Sequence, residues 1–284
     1  MLRTGLYVSA ITSLSVIFLL VGFLLYAGWP LFKAQGLTFI TETEWYPYED
    51  LFGMAPVLVG TFWSVFIALV IAVPCGVAAA IVSAELLPSP MRQVMRLGME
   101  VLAGIPSVVY GLIGLWVLLP LLEQLFDLLT GRSLLAAGLL LAMMVLPTIM
   151  VLSEDALYKV RREQREAALS LGLNWQQCLF RILLPQASPG IRVATLLALG
   201  RAMGETVAVM LVVGSIDRLP DPIYNLLEPA QTLTSRIGRE MAEASFGSIH
   251  WSGLMISGLI LALAAIVISL LSHSRNTTGK NHAS

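Results

Sequence analysis

Arg201 and Glu205 stand four residues apart inside an otherwise apolar run from about 188 to 214. Arg201 is 13 residues from both Ser188 and Gly214, which in a helix is roughly 20 Å from either end. A charge at that depth in hydrocarbon costs at least about 2.5–3.5 kcal/mol, so it must face protein or a wet cavity and find a partner. Glu205, at i+4 on the same helical face, is the expected one. Arginine presents a planar fork of donors suited to a passing oxyanion, and a neighbouring carboxylate can hold or release that fork. The same two residues would also serve as a buried structural pair. Gly200 and Gly204 support that alternative, because they spell a GxxxG step that lets another helix approach closely. Intramembrane charges are functional by default, which favours a pathway role for Arg201 and Glu205, with Thr206 and Ser107 as polar neighbours. Cys75, Cys178, His250, His273 and His282 show no metal-ligand spacing, and no Gly-x-x-x-x-Gly-Lys-Ser/Thr phosphate loop occurs. The expectation is a chain with no catalytic chemistry, metal or cofactor of its own.

The elements that must position these residues follow from composition. Of the 284 residues, 57% are hydrophobic and only 12% charged, and the mean hydropathy is +0.82. A soluble domain carries roughly 25% charged residues, so this surface suits hydrocarbon better than water. Six stretches reach the roughly 20 apolar residues that a spanning helix needs: about 6–28, 56–82, 98–121, 134–153, 188–214 and 252–272. The first is too long for a signal-peptide core and lacks a small-x-small cleavage site before Trp29-Pro30, so it reads as an uncleaved span. Cys75 and Cys178 fall at different depths, and no disulfide is expected.

Counting Lys and Arg sets the orientation. With the N-terminus inside, the cytoplasmic segments hold Arg3, Arg92, Arg96, Lys159, Arg161, Arg162, Arg165, Arg181, Arg275 and Lys280. Arg192 makes an eleventh, against five in the outer loops: Lys33, Arg132, Arg218, Arg236 and Arg239. The positive-inside rule therefore places both termini in the cytoplasm. Outside, the loop 29–55 is aromatic and acidic, and its Trp and Tyr side chains are expected mostly as headgroup anchors. Within 231–244, Leu233, Ile237, Met241 and Ala244 predict an amphipathic surface helix with Arg236, Arg239, Glu240 and Glu243 turned away from its apolar face. Pro106 predicts a kink in the third span, and Pro74, Pro120 and Pro147 suggest similar breaks. Arg96 and Glu100 form an i,i+4 pair of surface or helix-end character. The tail 273–284 is expected to be disordered. One transmembrane domain covers 1–284, with a core bundle at about 56–272.

The longest cytoplasmic loop, 154–186, is patterned. Ala156-Leu157 and Ala167-Ala168-Leu169 recur at helical spacing, and Lys159–Glu163 and Arg162–Glu166 are i,i+4 charge pairs. Gly172 falls where a helix end needs a left-handed residue. Asn174 with Gln177 three residues on is a capping box, and Pro185 is expected to stop the second helix, roughly 175–183. The prediction is helix, Gly turn, helix, Pro stop: a bracket able to transmit a partner's motion to the membrane helices.

Glu166-Ala167-Ala168-Leu-Ser-Leu-Gly172, nine residues, then Ile182-Leu-Leu-Pro185 resembles the EAA signature of ABC importer permeases at full spacing. Glu100-Val-Leu-Ala-Gly-Ile-Pro-Ser-Val-Val-Tyr-Gly111 and Leu199-Gly-Arg-Ala-Met-Gly-Glu-Thr-Val-Ala-Val209 look like the permease of the phosphate-specific transport system, PstC type. Val59-Gly-Thr61, Ala72-Val-Pro74 and Thr232-Leu-Thr234 agree, so the likeness covers about 50 to 272. The chain departs from that pattern at Arg161, where the family often has Pro, and at Ser215, where it often has Asn.

The resemblance implies an all-α, six-span type I (MetI-like) permease in a bacterial inner membrane, itself not an enzyme. It implies that Glu166, Ala167, Ala168, Gly172, Asn174, Gln177, Ile182 and Pro185 form the element that docks on an ATPase. The implied partners are a second, PstA-like permease, two ATPase subunits, a periplasmic phosphate-binding protein and the lipid bilayer, with phosphate as cargo and no nucleic acid. Sulfate- or molybdate-type permeases share the coupling logic and stay open as alternatives. An ion-coupled secondary transporter and a phosphate-signalling membrane protein are the competing classes.

Overall fold

The computed structural model describes residues 2–160 and 162–277, and it is almost wholly helical. Helix α1 is Leu2–Gln35, and a two-stranded antiparallel hairpin follows, β1 (Trp45–Tyr46) pairing with β2 (Leu51–Phe52). Then come α2 (Ala55–Ile81), α3 (Ser89–Gly104), α4 (Ser107–Ile113), α5 (Leu119–Phe126) and α6 (Leu134–Tyr158). The remainder is α7 (Arg162–Ser170), α8 (Trp175–Cys178), α9 (Leu184–Met203), α10 (Val207–Val212), α11 (Leu233–Glu240) and α12 (Ile249–Thr277). Among the described residues six helical stretches are long and apolar enough to cross a membrane: Ile11–Gln35, Ala55–Leu86, Ser107–Phe126, Leu134–Tyr158, Trp175–Met203 and Ile249–Leu271.

Helix α6 is the central post, buried over most of its length and packed between α2 and α9. Hydrocarbon gives helices no hydrophobic reason to associate, so the contact depends on close van der Waals fit between small residues. Ala136, Ala137, Gly138 and Ala142 supply it on α6. A Cβ on Gly138 would fall 2.5 Å from Ile67 Cβ of α2, a contact closer than side chains tolerate. Helix α1 stands aside and packs against α12.

Proline controls the helix ends in two ways. Three helices widen by one residue per turn just ahead of a proline, over Val82–Leu86, Gly114–Leu118 and Leu179–Leu183. In each, the residue before the proline donates its N–H five residues back: Leu87 to Val82, Leu119 to Gly114 and Leu184 to Leu179. Pro88, Pro120 and Pro185 lack an N–H, and their rings would clash with the usual acceptor turn; widening moves that carbonyl aside. At Pro106 no such turn forms and the chain breaks, so the third apolar stretch is not one helix over 98–121 but α3 followed by α4. Pro74 and Pro147 lie inside α2 and α6, which continue through them.

Further expectations are corrected. Pro185 does not stop the helix after Asn174, because the wide turn carries α8 into α9 as one rod from Trp175 to Met203. The fifth span ends at Met203 instead of 214, and α10 is a separate short helix. Of the Trp and Tyr side chains of 29–55, Trp29, Tyr46 and Tyr48 are exposed, whereas Trp45 is no anchor and is buried with Phe39 and Phe52. In α11 the charged face turns inward, with Arg236 and Glu240 buried and Met241 exposed, because Asp217, the Gly53 carbonyl and the Trp45 N–H wait there. The i,i+4 pair Lys159–Glu163 does not form, since α6 ends at Tyr158 and α7 starts anew at Arg162. Arg162–Glu166 rests on a side chain outside the description, as does Arg161. Helix α12 carries on to Thr277 through the first part of the polar tail, and 278–284 lie outside the described residues.

The α2–α6 contact gives a direct test. Gly138→Ala should destabilise the purified protein by about 1–3 kcal/mol through overpacking against Ile67, seen as a lower melting temperature in detergent. An unchanged melting temperature would show that the two helices have room to spare.

Candidate functional site

Two helix breaks lie side by side in the bundle. One separates α3 from α4 at Ile105-Pro106, the other separates α9 from α10 at Gly204–Thr206, and α10 packs on α4. Pro106 has no N–H to give Leu102 O, which keeps only the backbone bond from Ile105 N at 3.3 Å, and at this depth protein must supply further donors at the end of α3. Tyr110 OH donates to Leu102 O at 2.8 Å, and Arg201 Nη2 donates to Ala103 O at 3.2 Å. Arg201 Nη1 also reaches Thr148 Oγ1 on α6 at 3.3 Å. The guanidinium therefore ties α9 to both α3 and α6.

Arg201 lies in the last turn of α9 and is half-buried. Among the described residues it has no carboxylate within ion-pair distance, so the expected pair with Glu205 is corrected. An i,i+4 pair needs a continuous helix, and this one stops two residues short of Glu205. The Glu205 carboxylate instead accepts from Ala208 N at 3.2 Å, at the start of α10. Gly200 and Gly204 do not pack another helix either. A Cβ on Gly200 would meet open space, and one on Gly204 only its own preceding turn. Gly204 ends α9, while Thr206 Oγ1 lies 3.5 Å from Gly204 O. Ser107 opens α4 directly after Pro106 and is half-buried. A guanidinium has five N–H donors, of which Arg201 uses two on neighbours. What this arrangement offers is a cation with spare donors at the meeting of two backbone breaks.

The bracket forms at one end of the bundle. Gly172 has φ +79°, the left-handed value that ends α7 and turns the chain. Asn174 Oδ1 accepts from Gln177 N at 2.8 Å, and Gln177 Oε1 accepts from Asn174 N at 3.1 Å, closing the capping box. Ala168, Cys178, Leu179 and Leu183 are buried against Ala80, Met150 and Leu157, which glues the bracket to α2 and α6. Ile182 is half-buried beside them, and Pro185 is exposed on the rod. Glu166 and Ala167 face outward, in contrast to Ala168, and Leu171, Trp175 and Phe180 leave large apolar surfaces exposed.

Beside the bracket a charged tie joins α3 to α6. Arg96 pairs with Glu100 at 3.0 Å, Asp155 at 2.8 Å and Glu154 at 3.3 Å. Glu154 is fully buried and accepts from Ser83 Oγ at 2.6 Å. Arg92 donates to the carbonyls of Ser83, Ala84 and Leu87, which caps the wide turn ending α2. Spacing alone gives the Arg96–Glu100 pair; the parts of Glu154 and Asp155 emerge only from the fold, although two acids closing an apolar run are a visible signal. Tyr110, Ala103 and Thr148 were also missed. Only Thr148, a lone hydroxyl after Pro147, carried a hint.

The chain is similar to known proteins over most of its length. A family model described as "Binding-protein-dependent transport system inner membrane component" matches residues 72–275, which include both breaks and the bracket. The phosphate transport system permease protein PstC of Mesorhizobium japonicum is 34% identical over 86% of this chain and 80% of its own length. The corresponding protein of Pasteurella multocida is 33% identical over 88% and 82%, and the probable ABC transporter permease YqgH of Bacillus subtilis is 36% identical over 83% and 76%. Among solved structures, a bacterial alginate ABC transporter matches with a TM-score of 0.64 at 15% identity, covering 94% of this chain and 92% of that one. The MetNI methionine ABC transporter in an inward-facing form matches with a TM-score of 0.56 at 19% identity, over 78% and 94%. These two likenesses show the fold. With most of its length matched by the family model and by relatives above 30% identity, the chain belongs to the inner-membrane component family of binding-protein-dependent transport systems and has the MetI-like permease fold of ABC importers.

Proposed function

We propose that this chain is the PstC-type permease of an ATP-driven importer of inorganic phosphate. The observation that carries the reading is Arg201: a half-buried guanidinium at the junction of two helix breaks, without a carboxylate partner among the described residues and with donors to spare. An unneutralised cation there attracts an oxyanion. Its sharing with Ala103 O and Thr148 weakens the grip, and a pathway needs binding weak enough to let the ion leave. The names of the relatives supply phosphate as the anion. Glu205, Thr206 and Ser107 are proposed to line the same passage.

The positive-inside count places the bracket and both termini in the cytoplasm, with the β hairpin and α11 outside. Glu166, Ala167, Gly172 and the Asn174-capped turn, with Leu171 and Trp175 exposed beside them, then form the surface for an ATPase subunit. Two ATPases, a PstA-like second permease and a periplasmic phosphate-binding protein complete the assembly. The helical rod from Trp175 to Met203 gives the coupling a physical form. At 1.5 Å per residue it is about 40 Å long, and it begins in the docking element and ends at Arg201. When ATP closes the two ATPases, displacement of the bracket reaches the break without passing through a flexible joint.

Uptake of labelled phosphate, arsenate and sulfate in a strain that depends on this permease tests the reading. Phosphate and arsenate should compete and sulfate should not; uptake that persists without ATP or the ATPase subunit would sink it. Arg201→Gln should lower phosphate uptake about 10- to 100-fold, the equivalent of about 1.5–3 kcal/mol for a lost charge-assisted bond. The assembled complex should still form, and its loss would assign Arg201 to structure alone. Gly172→Val, forcing a β-branched residue to φ +79°, should uncouple the ATPase: ATP hydrolysis should no longer respond to phosphate-loaded binding protein, while the bundle keeps its melting temperature.

A further inference from the structure

Helix α11 links a buried charge cluster at the hairpin end of the bundle to the break beside Arg201. Its Arg236 side chain is wholly buried. Arg236 Nε donates to Asp217 Oδ1 at 3.0 Å, Nη2 joins the same carboxylate, and Nη1 donates to Gly53 O at 3.3 Å. The guanidinium also lies 3.9 Å from the centre of the Trp45 ring. Arg239 donates to Asp217 Oδ2 and to Glu240 Oε1, each at 2.9 Å, and to Ser215 O at 2.6 Å. Glu240 Oε2 accepts from Trp45 Nε1 at 2.9 Å and lies 2.9 Å from His250 Nε2. Burial alone would raise the Glu240 carboxyl, but the bonds from Arg239, His250 and Trp45 outweigh it and hold it below the usual carboxylate range. One short helix is thus seated on the β hairpin, on the segment that follows α10, and on the start of α12.

The opposite face of α11 rests on the break. Thr234 Oγ1 donates to the backbone carbonyl of Glu205 at 2.7 Å. Gly238 sits so close to Thr206 that a Cβ would fall 2.7 Å from Thr206 Cγ2. Thr61 Oγ1 on α2 accepts from Leu233 N at 2.9 Å and fixes the start of the helix. The Thr234 hydroxyl is therefore bonded to a backbone carbonyl between α9 and α10 that belongs to a proposed pathway residue, Glu205. The cluster opens on a cavity of about 560 Å³ lined by Trp45, Tyr48, Asp217, Arg239, Ser248 and His250.

We propose that Thr234 is a positioning residue of the pathway, holding Glu205 in place through its carbonyl, and that Arg236, seated on Asp217 and Trp45, sets where α11 and hence Thr234 stand. A change of contacts at the hairpin end is then felt at the break as a shift of α11. This rests on the importer reading above, and the wild-type arm of the test keeps the two apart.

The full transporter, with its ATPases, second permease and phosphate-binding protein, is reconstituted in proteoliposomes, and phosphate uptake is measured against substrate concentration. Absent uptake by the wild type would count against the phosphate reading, and the variants would be compared on whichever oxyanion is carried. Thr234→Val keeps the shape and removes the donor. It should lower the maximal rate about tenfold with KM within twofold, at undiminished yield of complex, and Thr234→Ser should restore the rate to within twofold. A Val variant as fast as wild type, a Ser variant as slow as Val, or a rate that falls only in step with complex yield would each overturn the proposal. Arg236→Lys should also slow transport, and the Thr234→Val, Arg236→Lys pair should be no more than about twofold slower than the slower single variant. Multiplied effects would show that Arg236 does not act through Thr234.

Discussion

Backbone hydrogen bonding is the constraint from which the rest of this structure follows. In hydrocarbon an unpaired carbonyl or N–H has no water to turn to and costs several kcal/mol. Every irregularity in the bundle therefore comes with its own solution. Before Pro88, Pro120 and Pro185 the helix widens and an N–H reaches five residues back. At Pro106 the helix ends outright, and side chains of Tyr110 and Arg201 take the freed carbonyls. The two solutions differ mechanically. Ahead of Pro120 and Pro185 the wide turn carries the helix on through its proline, ahead of Pro88 it closes α2, and a break held by side chains can be remade.

That difference explains why the residues of the site lie where they do. Arg201 is a structural patch on the α3 break and, in the pathway proposed above, also the cation that a passing anion meets. In that proposal the two roles are coupled, because an anion that draws the guanidinium toward itself loosens the bonds to Ala103 and Thr148. The Glu205 carbonyl, across the second break, has its own patch in Thr234. The two breaks thus have their geometry set by a few side-chain bonds, each worth on the order of 1 kcal/mol, which is small enough for conformational change to exchange them.

Much of this was legible in the sequence wherever local chemistry decides the outcome. The six spans follow from hydropathy, and the Gly172 turn and the Asn174–Gln177 box follow from backbone rules that need no tertiary context. The misreadings share one cause: they assumed that a local pattern would dominate where tertiary contacts did. Pro185 reads as a stop until Leu184 is seen to bond to Leu179. Arg201 and Glu205 read as a pair until the helix is seen to end at Met203. The charged face of α11 reads as its wet side, because spacing says nothing of Asp217, Gly53 and Trp45 arriving from elsewhere in the chain. Gly200 and Gly204 spell a packing motif, but the surface they open meets no helix within this chain.

The buried cluster on α11 needs an account beyond stability. Removing Arg236 and its carboxylate partner from water is expensive, and replacing such groups by well-packed apolar ones is often neutral or stabilising. What charges add is register: Arg236 satisfies Asp217, Gly53 and the Trp45 ring together only at one placement of α11, while an apolar helix face would tolerate sliding by fractions of a turn. Precise placement matters because the far side of α11 carries Thr234 and Gly238 against the break. The rod from Trp175 to Met203 approaches the same break from the bracket end, and it is rigid for the opposite reason, an unbroken backbone ladder. Two stiff elements, one held by charges and one by its backbone, therefore meet at residues 204–206, the stretch between α9 and α10 that is not helix.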